Sequence, residues 1–250
     1  MKGDNLNVIL TKLKNDSDYY GTYGKKWLSN SDIYSLLNDP KSFRQEQKTT
    51  KAMIEGSYLH TAMLEPEKLE SFQIVDMASR NSKLYKEAVF ESKEDILLLQ
   101  SEVDNIQKCI DAMKGNLDFC DAIYESGNLF EVPRIQNILG QEFKGKADIV
   151  SVNSERLIDI KTTSNIKDFK YSAKKYNYDS QAYIYQCLFD MPLSFYVVDK
   201  TTHQLGVFDP SADFLMRGKE KVQQAIEIYT KFYSDGGLED IDQYIAYETL

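Results

Sequence analysis

Apolar positions along the chain recur with two different periods, and the switch between them divides it. Residues 28–37 carry Ile33, Leu36 and Leu37 behind the polar cluster Ser29, Asn30, Ser31 and Asp32, and Asn38-Asp39-Pro40 stops the run. This predicts a short capped helix. Residues 49–64 set Met53, Ile54, Tyr58, Leu59 and Met63 on one stripe and end at Glu65-Pro66-Glu67, predicting a second helix that carries His60. From 82 to 124, Ile96, Leu99, Val103, Ile106, Ile110 and Met113 follow at three- or four-residue steps, which reads as two helices parted near Gly115-Asn116. Residues 128–139, 142–152 and 156–162 instead alternate apolar and polar, predicting an antiparallel meander of three strands. Residues 166–190 return to the helical period until Met191-Pro192, strands at 194–199 and 203–208 flank Lys200-Thr201-Thr202, and a last helix covers 212–234 before Gly236-Gly237. The order predicts one α/β domain over 1–250. It has a mainly helical part (1–127), a sheet-and-helix part (128–208) and a C-terminal helix and tail (209–250), with a mixed sheet carrying helices on its faces.

Composition narrows the classes. The 250 residues are ordinary globular material, with 42% hydrophobic and 28% charged residues and only 12 Gly and 5 Pro. No apolar run approaches the roughly 18–20 residues of a membrane span, and the N-terminus lacks an apolar leader, so a cytoplasmic location is expected. Three cysteines (Cys109, Cys120, Cys187) are too few and scattered for a disulfide framework, a zinc knuckle or a four-cysteine iron–sulfur cluster. A net charge of −9 argues against a nucleic-acid partner when taken as a sum. The distribution is uneven, however. Acid gathers between 65 and 131, whereas Arg44, Lys144, Lys146, Lys170, Lys174 and Lys175 lie in locally basic stretches that could meet phosphates. Trp27 is expected in an N-terminal core and His203 near a turn.

The candidate chemistry sits in the meander. With the second turn centred on Ser154-Glu155, Asp148 falls opposite Lys161 and Val150 opposite Asp159. Side chains alternate, so Asp148, Asp159 and Lys161 leave one face, the two carboxylates on a diagonal of about 7–8 Å, while Ile158 and Ile160 point into the core. Two converging carboxylates are usually neutralised by a hard divalent ion, and a neighbouring ammonium can orient water and stabilise charge on phosphate. Glu131, on the preceding strand, can add a third carboxylate. Gly56 and His60 share a helix face, where the small Gly56 would allow close packing, and Gln181 and Tyr185 lie one turn apart on a later helix.

Gly56-x-x-x-His60, Glu131, Gly145-x-x-Asp148, Asp159-Ile160-Lys161-Thr162-Thr163 and Gln181-x-x-x-Tyr185 occur in an order and spacing that resembles the PD-(D/E)XK nuclease superfamily, in its RecB-like branch. Leu28 to Asp32 leading to Asp39-Pro40, His60 to Pro66, and Tyr176 to Ala182 are similar to the exonuclease VIII (RecE-type) recombination exonucleases and their phage relatives. Asp159 stands where some members carry Glu. The resemblance implies a restriction-endonuclease-like core and Mg²⁺- or Mn²⁺-dependent DNA cleavage. It implies His60, Asp148, Asp159 and the Ile160 carbonyl as metal ligands, Lys161 assisting the attacking water, Glu131 supporting the site, and Gln181 and Tyr185 holding the substrate backbone. It further implies 5′ to 3′ digestion of linear duplex DNA, a ring-shaped homo-oligomer, a single-strand annealing partner, and a bacterial or phage-infected cell. The residues leave open a single-strand or flap-cutting nuclease and a non-catalytic DNA-binding module.

Overall fold

In the computed structural model, residues 5–237 and 239–245 are described; the ends of the single-domain expectation, 1–4 and 246–250, lie outside them. Ten helices are described: α1 (Leu6–Leu13), α2 (Asp16–Tyr20), α3 (Asn30–Asn38), α4 (Lys51–Leu64), α5 (Lys83–Ser92), α6 (Gln100–Gly115), α7 (Leu117–Tyr124), α8 (Phe169–Lys175), α9 (Tyr178–Phe189) and α10 (Ala212–Phe232). Strands β1 (Ile74–Val75) and β2 (Leu98–Leu99) form a small parallel pair. Strands β3 (Leu129–Ile138), β4 (Gln141–Ser151), β5 (Arg156–Thr163), β6 (Leu193–Asp199) and β7 (Leu205–Phe208) form the main sheet in sequence order. Only β5 and β6 run parallel, joined by the α8–α9 crossover; the other neighbours are antiparallel.

Helix starts follow the polar residue ahead of each apolar run. Ser29 and Asp32 form a capping box on α3, the Asp32 carboxylate accepting the Ser29 amide at 2.8 Å. Thr50, Ser82, Asn116 and Ser211 each accept an amide of the first turn of α4, α5, α7 and α10. Two core layers cover the sheet. Leu59 and Met63 of α4, Ile106 and Ile110 of α6 and Ile123 of α7 pack on Ile149, Ile158, Ile160 and Val198. The opposite face packs Ala147, Val150, Leu157, Phe195 and Val197 against Phe169 of α8 and Ala182 of α9. Trp27 is buried with Leu13 and Tyr19 in a separate N-terminal cluster, as expected of it. Among the described residues no helix is long and apolar enough to cross a membrane.

Four readings change. The expected helix pair over 82–124 is three helices, because Leu97, Leu98 and Leu99 are almost wholly buried and the last two form the β2 strand between α5 and α6. The single helix over 166–190 is split, since Asn177 takes a left-handed conformation (φ 55°) between α8 and α9; asparagine is among the few residues that adopt it readily. The last strand starts at Leu205, after a turn in which His203 has φ 56°. Finally, the β4–β5 ladder pairs Ile149 with Ile158, Val150 with Leu157 and Ser151 with Arg156, two residues out of the expected register. The shift is even, so the side chains keep their faces.

Candidate active site

The ladder between β4 and β5 ends at Ile149 and Ile158. Beyond it the backbone of Ile160 is served by side chains: its amide donates to Asp148 Oδ2 at 2.8 Å, and its carbonyl lies 2.7 Å from His60 Nε2. A carbonyl can only accept, so Nε2 carries the ring proton and Nδ1, 3.2 Å from Asp148 Oδ2, is the acceptor. A gap in the sheet thus brings together the α4 histidine and the β4 aspartate, from elements that pack on different sides. On β3, Glu131 lies across from Asp148 and is held at φ 50°, a strained conformation for a residue with a side chain. Ligand atoms of His60, Glu131 and Asp148 all fall within 4.8 Å of one another.

Asp159 and Lys161 complete the floor. Asp159 is 1% exposed, and its Oδ1 accepts from Gln181 Nε2 of α9 at 2.5 Å. Lys161 Nζ is 2.5 Å from Oδ2 and 5.1 Å from the centre of the Tyr178 ring. These groups line a cavity of about 510 Å³, with Asp16, Tyr19 and Tyr20 of α2, Met53 and Gly56 of α4, Phe72 and Tyr185 among its other walls.

The electrostatics are those of crowded acid. Burial, then the charge of Asp159, pushes the Asp148 carboxyl from 3.8 up to about 8; burial, then Asp148, pushes Glu131 up to about 7. His60 is held below its ordinary value by burial and by Lys161. Burial opposes the charge on Lys161, but Asp159, Tyr178 and Asp148 outweigh it and raise its pKa, so it stays an ammonium. The set fits a divalent cation: a neutral imidazole beside two carboxyls, Asp148 and Glu131, that hold their protons because burial and mutual repulsion outweigh the nearby ammonium groups.

Of the sequence-derived set, His60, Glu131, Asp148, Asp159, Ile160, Lys161, Gln181 and Tyr185 meet around this cavity. Their expected arrangement is modified. Asp159 is engaged by Gln181 and Lys161, while Glu131 takes the place beside His60 and Asp148. The Tyr185 hydroxyl donates to the Lys146 carbonyl at 2.9 Å, so it braces β4. Gly56 does not serve close packing: a Cβ there would meet nothing within 4 Å, and the position opens onto the cavity.

The basic residues divide. Lys170, Lys174 and Lys175 are exposed on α8. Lys144 and Lys146, expected on a DNA-facing surface, are buried at 5% and 8% exposure because α2 folds over them with Asp16, Tyr19 and Tyr20. Lys144 Nζ donates to the Tyr19 carbonyl and sits 4.1 Å from the Tyr19 ring centre, and burial lowers its pKa to about 8. Lys146 bridges Asp16 at 2.5 Å and Glu131 at 3.0 Å. Arg44 is engaged by Asp32 and the Trp27 carbonyl. The sequence reading missed the α2 wall, which has no local signal. It also missed Tyr178, whose signal was its place three residues before Gln181 on one helix face.

Residues 32–236 match the family described as "PDDEXK-like domain of unknown function (DUF3799)". No curated protein matches the chain in sequence. Among solved structures, the chain is similar to a protein of Eubacterium rectale named "Putative exonuclease", at 15% identity over 94% of this chain and 95% of that one, with a TM-score of 0.62. That likeness is one of fold. It also matches a phage related exonuclease of Haemophilus somnus 129PT at 16% identity, over 82% of this chain and 94% of that one, with a TM-score of 0.37, too loose a superposition to carry argument.

Proposed function

The chain belongs to this PDDEXK-like family, and from that premise we propose that it is a Mg²⁺- or Mn²⁺-dependent deoxyribonuclease that hydrolyses phosphodiester bonds at the ends of linear duplex DNA, working 5′ to 3′ and leaving single-stranded overhangs for recombination. One observation carries the reading. His60, Glu131 and Asp148 converge within 4.8 Å beside the Asp159–Lys161 pair in one cavity, where three carboxylates share the two ammonium groups of Lys146 and Lys161.

His60, Asp148 and Asp159, with the Ile160 carbonyl, would hold the ion, and Glu131 is placed to join or support them. When bound, such an ion supplies Lewis-acid polarisation of the phosphate and a lowered pKa for a coordinated water. The rest belongs to the chain. Lys161 is too basic to abstract a proton; its ammonium, fixed by Asp159 and the Tyr178 ring, orients the attacking water and stabilises charge accumulating on the phosphate oxygens. Gln181 locks the Asp159 carboxylate in one orientation. Tyr185, by bracing the Lys146 carbonyl, holds the strand from which Asp148 projects. The strained Glu131 backbone keeps its carboxylate turned toward the cavity. A ring of copies, an annealing partner and a bacterial or phage-infected cytoplasm belong to the same reading, which the resemblance supports and which also treats 1–250 as one nuclease domain.

Digestion of linear duplex labelled at either end, with and without Mg²⁺, tests it. The 5′ label should be released first and only with the ion, and Lys161→Ala should lower the rate by at least 10²-fold at unchanged fold. Undiminished release by Lys161→Ala would overturn the assignment, as would 3′-first release for the polarity.

A further inference from the structure

The short helix α8 and the turn before it carry Lys167, Lys170, Lys174 and Lys175 against one acid, Asp168. All four lysines are exposed. They contrast with Lys146, Lys161 and Lys221, which sit in ion pairs with Glu131, Asp159 and Asp179; among the described residues the α8 lysines have no carboxylate partner. Two tyrosines are interleaved with them, Tyr171 at 61% and Tyr176 at 50% exposure. Lysine ammonium groups lie over both rings, Lys170 at 5.0 Å from the Tyr171 centre and Lys175 at 5.5 Å from that of Tyr176. A chain of net charge −9 that collects cations without carboxylate partners and half-exposed aromatic rings along α8 and its C-cap presents a surface for a polyanion with flat rings.

The surface leads inward. The Tyr176 ring is 6.2 Å from that of Tyr178, and Tyr178 lines the cavity with the Lys161 ammonium 5.1 Å from its ring centre. From outside to inside the order is Tyr176, Tyr178, Lys161. A stacking ring outside the cavity acts on the face of an unpaired base, which a base pair within a duplex does not expose.

We infer that α8 is the entry track for an unpaired DNA strand, with Tyr176 stacking a base outside the cavity and Lys174 and Lys175 holding the adjoining phosphates, so that the strand reaches Lys161 already separated from its complement. The inference rests on the nuclease reading for what happens at Lys161, but the track itself is a binding surface and is measured without cleavage.

Anisotropy of a labelled oligo-dT, titrated with the full chain in EDTA, reads the track. Tyr176→Ala should weaken binding roughly tenfold, the effect of one lost base–aromatic stack, and Tyr176→Trp should restore it. Lys174→Gln with Lys175→Gln should flatten the dependence of log affinity on log salt by about 1.4, for two phosphates of a single strand. Blunt duplex of the same length should bind more weakly than oligo-dT and respond little to Tyr176→Ala. Wild-type affinity in Tyr176→Ala and the lysine double variant, or tighter binding of blunt duplex than of oligo-dT, overturns the track. Oligo-dT binding that depends on Tyr176 in a protein that cleaves nothing with Mg²⁺ would leave the track standing and sink the nuclease reading; Mg²⁺-dependent cleavage unaffected by the α8 variants would do the reverse.

Discussion

Replacing Asp148 by Asn removes a charge that the ion-free protein accommodates badly, and the sign of the effect depends on pH in a way that identifies its cause. In the unfolded chain the carboxyl ionises near 3.8; in the folded protein burial, then Asp159, holds its proton until about pH 8. Between those values the folded state binds the extra proton, so stability falls as pH rises through the window and the penalty is complete above pH 8. Carried by Asp148 alone, that shift would amount to about 6 kcal/mol. It is shared, because Asp148 and Asp159 titrate as a pair, and the substitution also weakens the acceptor for the Ile160 amide at 2.8 Å. A net gain of roughly 1–3 kcal/mol is expected for Asp148→Asn at pH 9 without metal, or several degrees in Tm for a chain of this length. At pH 4 the protonated wild-type carboxyl resembles the amide and the two proteins should melt together. Saturating Mg²⁺ should reverse the order at pH 9, since an ion at a hundred times its Kd stabilises the wild type by about 2.7 kcal/mol and the variant by little. Calorimetric melting at pH 4 and 9, with EDTA and with Mg²⁺, gives all four values. A variant less stable than wild type by the same margin at both pH values in EDTA would mean that Asp148 is an ordinary structural acceptor and that no repulsion awaits an ion.

Mn²⁺ binding at pH 7 should release protons, because Asp148 and Glu131, raised to about 8 and 7, must ionise to serve as ligands; titration in buffers of different ionisation enthalpy should show the release fading by pH 9, and none at pH 7 would refute it. Gly145→Ala should cost about 1–3 kcal/mol by denaturant midpoint, since its Cβ would stand 2.5 Å from Leu188 Cδ1 and 3.1 Å from Tyr185 Cε2; an unchanged midpoint would show that α9 can yield there. Gly56→Ala should instead raise stability by about 0.5–1 kcal/mol as a helix-interior replacement into open space, whereas Gly56→Phe should fold normally and depress cleavage by filling the cavity. Equal cleavage by both Gly56 variants would mean the substrate does not pass that wall.

The two-residue period of 142–152 and 156–162 was enough to place Asp148, Asp159 and Lys161 on one face, because any even error of register leaves faces unchanged. It was not enough to place the carboxylates relative to one another. That depends on where β4 and β5 part, and the parting is set by Asp148 and His60 taking over the backbone of Ile160, a contact across 100 residues of sequence. The same limit hid the fate of Lys144 and Lys146. Their local pattern is that of an exposed basic strand, and only α2, which contributes the Tyr19 carbonyl and Asp16, converts them into buried groups. Lys170, Lys174 and Lys175, by contrast, are exposed as their local pattern suggests. The β2 strand was misread as helix because three consecutive leucines satisfy either period when buried all round.

The pattern of satisfied and unsatisfied groups separates scaffold from site. Several buried carboxylates elsewhere are matched: Asp179, fully buried, has Lys221 at 2.9 Å and Arg217 at 3.4 Å, Glu55 has Lys200 at 2.6 Å, and Asp199 accepts the amides of Ile166, Thr201 and Thr202. Around the gap in the sheet the count runs the other way. Asp148, Asp159 and Glu131 share Lys161 and Lys146, one acid more than the cations, and Lys146 divides itself further with Asp16. Folding alone gives no reason to concentrate acid there and hold Glu131 at a positive φ. The crowded acid costs stability without an ion and would be relieved by added positive charge, whereas the Glu131 backbone is a separate torsional cost. A cation held among His60, Glu131 and Asp148 would offset the crowded acid and let those carboxyls ionise, which is the charge balance that the proposed nuclease reading requires.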